Sequence, residues 1–192
     1  MTDEELMTAV CKGDESAYQT IVKQHLRPIS HYAFRMLGNQ KDTEDIAQET
    51  FIRLWVNASK WQANKAKLIT WLHRIAHNLC IDYLRKHGRV QTESDIQVEV
   101  GENELQSDED NRDNFRIASL NFAIRNLPES QRSALMLCHY QGFSNKEAAI
   151  IMGISVKALE SAVSRAKRAL RSQLWEYKKE TTGADTPANS SS

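Results

Sequence analysis

Apolar residues recur every three to four positions along most of this chain, and capping residues rather than alternating runs break the pattern. The period predicts helices near residues 3–11, 15–37, 42–58 and 68–87. Asp14 is placed to cap the segment that begins with Ala17, Tyr18, Ile21 and Val22, Gly38 and Asn39 end it, and Asp42 is expected to start the next. Pro28 falls inside the second segment, where a missing amide is expected to kink it or split it. After Arg89 the periodicity fails through a polar stretch that lasts to about Asn114 and is too poor in apolar residues to pack a core. It returns from about Phe115 to Tyr177, with Pro128 opening a helix that carries Leu135, Met136 and Leu137 and Gly142 closing it. The tail Thr181–Ser192 is small and polar, and is expected to be disordered. The pattern describes an all-α protein of two small helical domains joined by a flexible linker, with limits of 1–88, 89–114, 115–178 and a tail of 179–192.

Within the second domain, residues 144–171 read as two helices separated by a tight turn. Ser144 and Glu147 have capping-box spacing, Gly153 can end the first helix at positive φ, and Ser155 can cap the second. Ala148, Ala149, Met152 and Ile154 make one apolar surface, which Leu159, Ala162, Val163, Ala166 and Leu170 face at helical spacing. The second helix leaves Lys157, Glu160, Ser161, Ser164, Arg165, Lys167, Arg168 and Arg171 on its other side, a face suited to phosphates and base edges. A helix-turn-helix with such a face points to duplex DNA.

Charge sharpens this picture. The 192 residues carry equal numbers of acids and bases, yet residues 89–115 hold nine acids against Arg89 and Arg112, a net −7. The linker is therefore acidic and the remainder of the chain carries +7, concentrated at residues 60–88 and 155–179. No apolar run approaches the roughly 18 residues of a membrane span, and the acidic start Met-Thr-Asp-Glu-Glu lacks a signal-peptide pattern. A cytoplasmic location is expected. Cys11, Cys80 and Cys138 are widely separated, which predicts buried reduced thiols rather than a disulfide framework or zinc motif.

The second basic block interleaves Lys60, Lys65, Lys67, Arg74, Arg85 and Lys86 with Trp61, Trp71 and Tyr83. Aromatic faces can stack unpaired bases while cations follow the backbone, so the block suits an opened strand. Trp71, Leu72, Ile75, Leu79 and Leu84 also recur at helical intervals, which makes Trp71 a core residue; Trp61 sits in a polar loop, where anchoring and function weigh equally. His73 and His77 have the i, i+4 spacing of a zinc-protease helix, but Arg74 occupies the place of the general-base Glu and no third ligand is evident. Surface histidines beside a phosphate backbone are the expectation. In residues 42–55, Ile46, Ala47, Phe51, Leu54 and Trp55 form the predicted buried stripe. Asp45, Gln48, Glu49, Ile52 and Arg53 lie off it, and Ile52 among charges hints at a protein contact.

Taken in order, these blocks resemble the bacterial sigma factors of the extracytoplasmic-function (ECF) group over nearly the whole chain. The matching runs are Gly13–Tyr18, Asp45–Trp55, Thr70–Asn78, Leu127-Pro128-Glu129 and the helix-turn-helix, separated by an acidic linker as in that family. The resemblance implies that Asp45, Gln48 and Glu49, with Ile52 beside them, dock on the β′ clamp helices of core RNA polymerase, and that the second domain meets the β flap. It implies that Trp61, Lys65, Lys67, Arg74 and Asn78 hold the melted −10 element, Asn78 at a position that reads an extruded base. Lys157, Glu160, Ser161, Ser164, Arg165 and Arg168 would meet the −35 duplex, with Arg165 gripping guanine and Lys157 and Arg168 taking phosphate. It further implies an anti-sigma partner, often membrane-tethered, and a linker that threads toward the polymerase active centre.

Two departures stand out. Glu160 occupies a position where many relatives carry Lys or Arg, and Ala66 one where Gly is frequent. No nucleophile–base pair, metal cluster, cofactor motif or phosphate-cradling loop appears, so no catalysis, cofactor or small-molecule substrate is expected. The alternative is a dimeric regulator with the same helix-turn-helix, which leaves residues 60–86 without a purpose. A metal hydrolase built on His73 and His77 is a remote third.

Overall fold

The computed structural model describes residues 1–87 and 108–182, and among them it contains helices and turns but no strand. Four helices make up the N-terminal part: α1 (Asp3–Cys11), α2 (Glu15–Leu37), α3 (Gln40–Asn57) and α4 (Leu68–His87). Four more follow: α5 (Asp108–Arg125), α6 (Glu129–Leu135), α7 (Asn145–Met152) and α8 (Val156–Thr182). The boundaries come from caps. The Asp14 carboxylate accepts from the amides of Ser16 and Ala17 at 2.9 and 3.1 Å, and Gly38 closes α2 at φ +81°.

Three sequence expectations change here. The α3 cap is Asn39, whose side chain accepts from the Asp42 amide at 2.8 Å, so the helix starts at Gln40 rather than at Asp42. Asp42 instead receives hydrogen bonds from the Tyr83 hydroxyl and the Asn39 amide, which ties α3 to α4. Pro28 neither splits nor ends α2, which runs on to Leu37. Finally, α5 begins at Asp108 and α8 extends to Thr182, so the inner ends of the expected linker and tail are helical. The rest of both segments lies outside the described residues.

The α6 helix passes into a wider π turn over Met136–Tyr140, in which the Gln141 amide reaches the Met136 carbonyl at 2.9 Å. Gly142 then reverses the chain at φ +73° and lets the Phe143 amide reach the Leu137 carbonyl at 3.0 Å. This widened turn aims residues 140–143 toward α2 and α4. Ile21, Ile29, Tyr32, Met36, Leu54, Leu68 and Leu72 fill the centre of the first part, and Met136, Leu137, Ile151 and Leu159 that of the second. All belong to one continuous apolar cluster, so the two helical parts are packed together.

The cysteines follow three environments rather than one. Cys80 is buried, Cys138 is half-buried and Cys11 is exposed, which corrects the expectation of three buried thiols. Burial pushes the Cys80 thiol up to about 12, so it is an inert core residue.

Candidate DNA-binding and polymerase-binding faces

The helix-turn-helix forms as its caps require. Ser144 Oγ accepts from the Glu147 amide and Glu147 Oε2 from the Ser144 amide, both at 3.1 Å. Gly153 takes φ +67°, and Ser155 Oγ accepts from the Ala158 amide at 3.1 Å to start α8. Leu159 and Ala166 are fully buried against Ala148, Ala149 and Ile151, whereas Ile154, expected in that surface, is 37% exposed at the turn. On the opposite side, Lys157, Glu160, Ser161, Ser164, Arg165 and Arg168 line one shallow open depression. All six are exposed. Glu160 makes no ion pair among the described residues, although it lies among three cations.

Residues 61–67 form a loop pinned by Trp61. Its indole Nε1 donates to the Ala66 carbonyl at 3.1 Å, and its half-buried ring packs on the core. Trp61 thus anchors the loop. Beyond it Lys65 and Lys67 are exposed, and Arg74 and Asn78 stand one turn apart on the exposed side of α4. Lys67 Nζ lies 3.5 Å from Glu147 Oε1 of α7.

His73 and His77 do not join this face. They are 1% and 6% exposed, which overturns the expectation of surface histidines beside phosphate. The α4 helix buries a broad stripe, and both imidazoles fall within it. His77 Nδ1 lies 2.8 Å from the Tyr32 hydroxyl, and His73 Nδ1 lies 2.9 Å from the Ile69 carbonyl. Desolvation holds both imidazoles down at about 4, so they are neutral at ordinary pH.

The α3 face presents Asp45, Gln48 and Ile52 to solvent with Glu49 half-exposed, and Arg53 Nε pairs with Glu49 Oε1 at 3.0 Å. Trp55, expected in the buried stripe, is 38% exposed and meets Tyr18 edge-on at 5.1 Å. Val56, which sequence reading passed over, is 70% exposed one turn beyond Ile52. The i, i+4 spacing from Ile52 was the available signal. Together Ile52, Trp55 and Val56 form an apolar extension of an acidic face.

The two halves of this arrangement match known families separately and in order. Residues 21–90 match the Sigma-70 region 2 model and residues 117–170 the Sigma-70 region 4 model. This defines a transcription initiation factor of the sigma class, a group that is not enzymatic. The chain is 32% identical over 187 residues to the ECF RNA polymerase sigma factor SigE of Mycolicibacterium smegmatis, covering 94% of this chain and 72% of that one. It is 34% identical over 175 residues to the ECF RNA polymerase sigma factor SigW of Bacillus subtilis, covering 86% and 92%. The chain belongs to the ECF RNA polymerase sigma factors. Among solved structures, CnrH in complex with the cytosolic domain of CnrY superposes with a TM-score of 0.67 over 96% of this chain and 99% of that one, at 22% identity. The sigma factor RpoE of Bartonella quintana, in complex with the anti-sigma factor NepR, gives 0.62 over 82% and 96%, at 23% identity. At such identities the likeness speaks to the fold.

Proposed function

We propose that this sigma factor divides its labour between two faces. Residues 1–88 dock on core polymerase through Asp45, Gln48, Glu49 and Ile52 and hold the opened −10 strand with Trp61, Lys65, Lys67, Arg74 and Asn78. Residues 115–178 read the −35 duplex through Lys157, Glu160, Ser161, Ser164, Arg165 and Arg168. The observation that carries this reading is the convergence of those last six side chains on one depression of α8. An exposed basic face on the second helix of a helix-turn-helix fits a major groove. Asn78 offers both a donor and an acceptor to a base edge. The chain acts where the polymerase is, in the cytoplasm, without a catalytic step of its own. Of the two solved structures of like fold, one holds the anti-sigma factor NepR and the other the cytosolic domain of CnrY, which supports control of this protein by an anti-sigma factor.

Run-off transcription with core polymerase on promoters of the source genome tests this. The wild-type chain initiates from a subset of them. Asn78→Ala lowers open-complex formation, read by permanganate footprinting, more than it lowers closed-complex binding. If the chain binds duplex DNA tightly alone and never redirects core, the reading fails.

A further inference from the structure

The α2 helix carries a charge pattern that neither proposed DNA face uses. From Ser16 to Leu37 it contains no acid, but it contains Lys23, Arg27 and Arg35 together with His25 and His31. Ile21, Ile29, Tyr32, Ala33 and Met36 fill its buried side. Positions 23, 27 and 31, spaced i, i+4 and i+8, are thereby turned outward. Lys23, Arg27 and His31 are all exposed there, and none forms an ion pair among the described residues. Phe34 shares this face, three residues beyond His31 and seven beyond Arg27, and is 43% exposed. The other basic groups of the helix are engaged elsewhere. Arg35 is half-buried, with its guanidinium 4.5 Å from the centre of the Tyr140 ring, and burial lowers the basicity of His25.

Like charges at i, i+4 repel each other on a helix, so this row weakens α2 unless a polyanion neutralises it. Lys23 to Phe34 covers about 16 Å at about 1.5 Å per residue, the reach of a short run of nucleotides rather than of a single anion. Duplex DNA offers phosphates but keeps its base faces stacked. An opened strand offers phosphates to Lys23 and Arg27 and also an unstacked base to Phe34. The α2 helix packs directly on α4, which carries Arg74 and Asn78, so the row belongs to the same helical body as the proposed −10 reader.

We propose that the outer face of α2 is a second single-strand site, which holds the backbone of the opened promoter strand beyond the bases read at α4. Lys23 and Arg27 neutralise phosphates, His31 adds a hydrogen-bond donor, and Phe34 stacks on an unpaired base. Such contacts carry no sequence information, so this face sets how firmly an opened promoter is held and not which promoter is chosen. The inference rests on the assignment of α4 to the opened strand.

Holoenzyme reconstituted from core polymerase and the full chain is titrated with two single-stranded oligonucleotides, one trimmed to the −10 element and one extended on both sides of it. On the extended strand, Lys23→Gln combined with Arg27→Gln is expected to raise Kd about tenfold and to lower the slope of log K against log salt by about 1.4, two phosphates at about 0.7 each. Phe34→Ala should raise Kd at least about fivefold and leave the slope unchanged. Neither variant should alter binding of the trimmed strand or affinity for core polymerase. Circular dichroism should match the wild type, since all three side chains are exposed. Unchanged binding of the extended strand makes this a solvated face and overturns the proposal. Lost core binding with an unchanged salt slope assigns the face to an acidic protein surface and overturns it too. Asn78→Ala tests the underlying reading separately: if that variant binds the trimmed strand as the wild type does, it is the assignment of α4 that fails.

Discussion

At the scale of single residues, the buried histidines control behaviour that the exposed ones do not. His73 and His77 are held neutral by desolvation, with values near 4 against an ordinary 6.5. Around them lie His25, Tyr32, Phe143 and Arg85, none of which is a carboxylate that could stabilise an imidazolium. A base with a depressed folded value contributes stability that is whole above pH 6.5 and is lost as pH falls toward 4. Each shift corresponds to on the order of 3 kcal/mol. Urea unfolding at pH 7 and pH 5 should therefore show a fall in stability of more than about 2 kcal/mol, and His77→Gln should reduce that fall. On the opposite surface, Arg165→Ala should raise the dissociation constant for the cognate −35 sequence about tenfold or more and leave scrambled DNA little changed. Lys157→Ala should weaken both alike and lower the salt dependence by about one ion. Equal losses for the two variants on both DNAs would show that Arg165 touches phosphate alone. Glu160 has no ion-pair partner among the described residues, and on the proposed reading its carboxylate either accepts from cytosine N4 or orients Arg165. Glu160→Lys is then expected to change the preferred −35 sequence, measured by selection from randomised duplexes.

At the scale of elements, punctuation explains what the sequence reveals and what it conceals. The limits of α2 and α7 were readable because Asp14, Gly38, Ser144 and Gly153 act through local geometry that few alternatives can satisfy. The start of α5 was not readable, since periodicity reports burial and this helix buries little. Phe115, Ile117 and Phe122 are all more than half exposed. Asp42 misled for a related reason: Asp and Asn are comparable caps, and the choice of Asn39 follows from the tertiary bond between Asp42 and Tyr83. The clustering of six exposed polar side chains on α8 could be read because one helix carries all of them. The histidine burial could not, because it depends on which helices cover α4. The turn between α7 and α8 offers a test at this scale. At Gly153 a Cβ would meet no atom within 4 Å, so the cost of Gly153→Ala comes from φ +67° alone. The variant should lose about 1 kcal/mol of stability, and Gly153→Asn, which tolerates that region better, should lose less. Thermal melts of both separate backbone strain from packing.

At the scale of the whole molecule, Arg132 and Arg125 both reach from region 4 to the end of α2, and Arg132 also bonds within its own region. Arg132 donates to the Met36 carbonyl of region 2 and, through Nη2, to the Arg125 and Leu127 carbonyls of its own region at 2.6 and 3.2 Å. A planar guanidinium can span three carbonyls fixed in different directions, and a single ammonium cannot. Burial lowers its basicity, but an arginine remains charged throughout the range in which the protein is folded. Glu129 favours its charge at a distance but forms no ion pair with it, and the backbone carbonyls are its direct partners. Arg132→Ala leaves those carbonyls without their donor and should cost about 2–4 kcal/mol in urea unfolding. Arg132→Lys should recover less than half of that loss, because one head group must choose between the Met36 carbonyl and the pair in region 4.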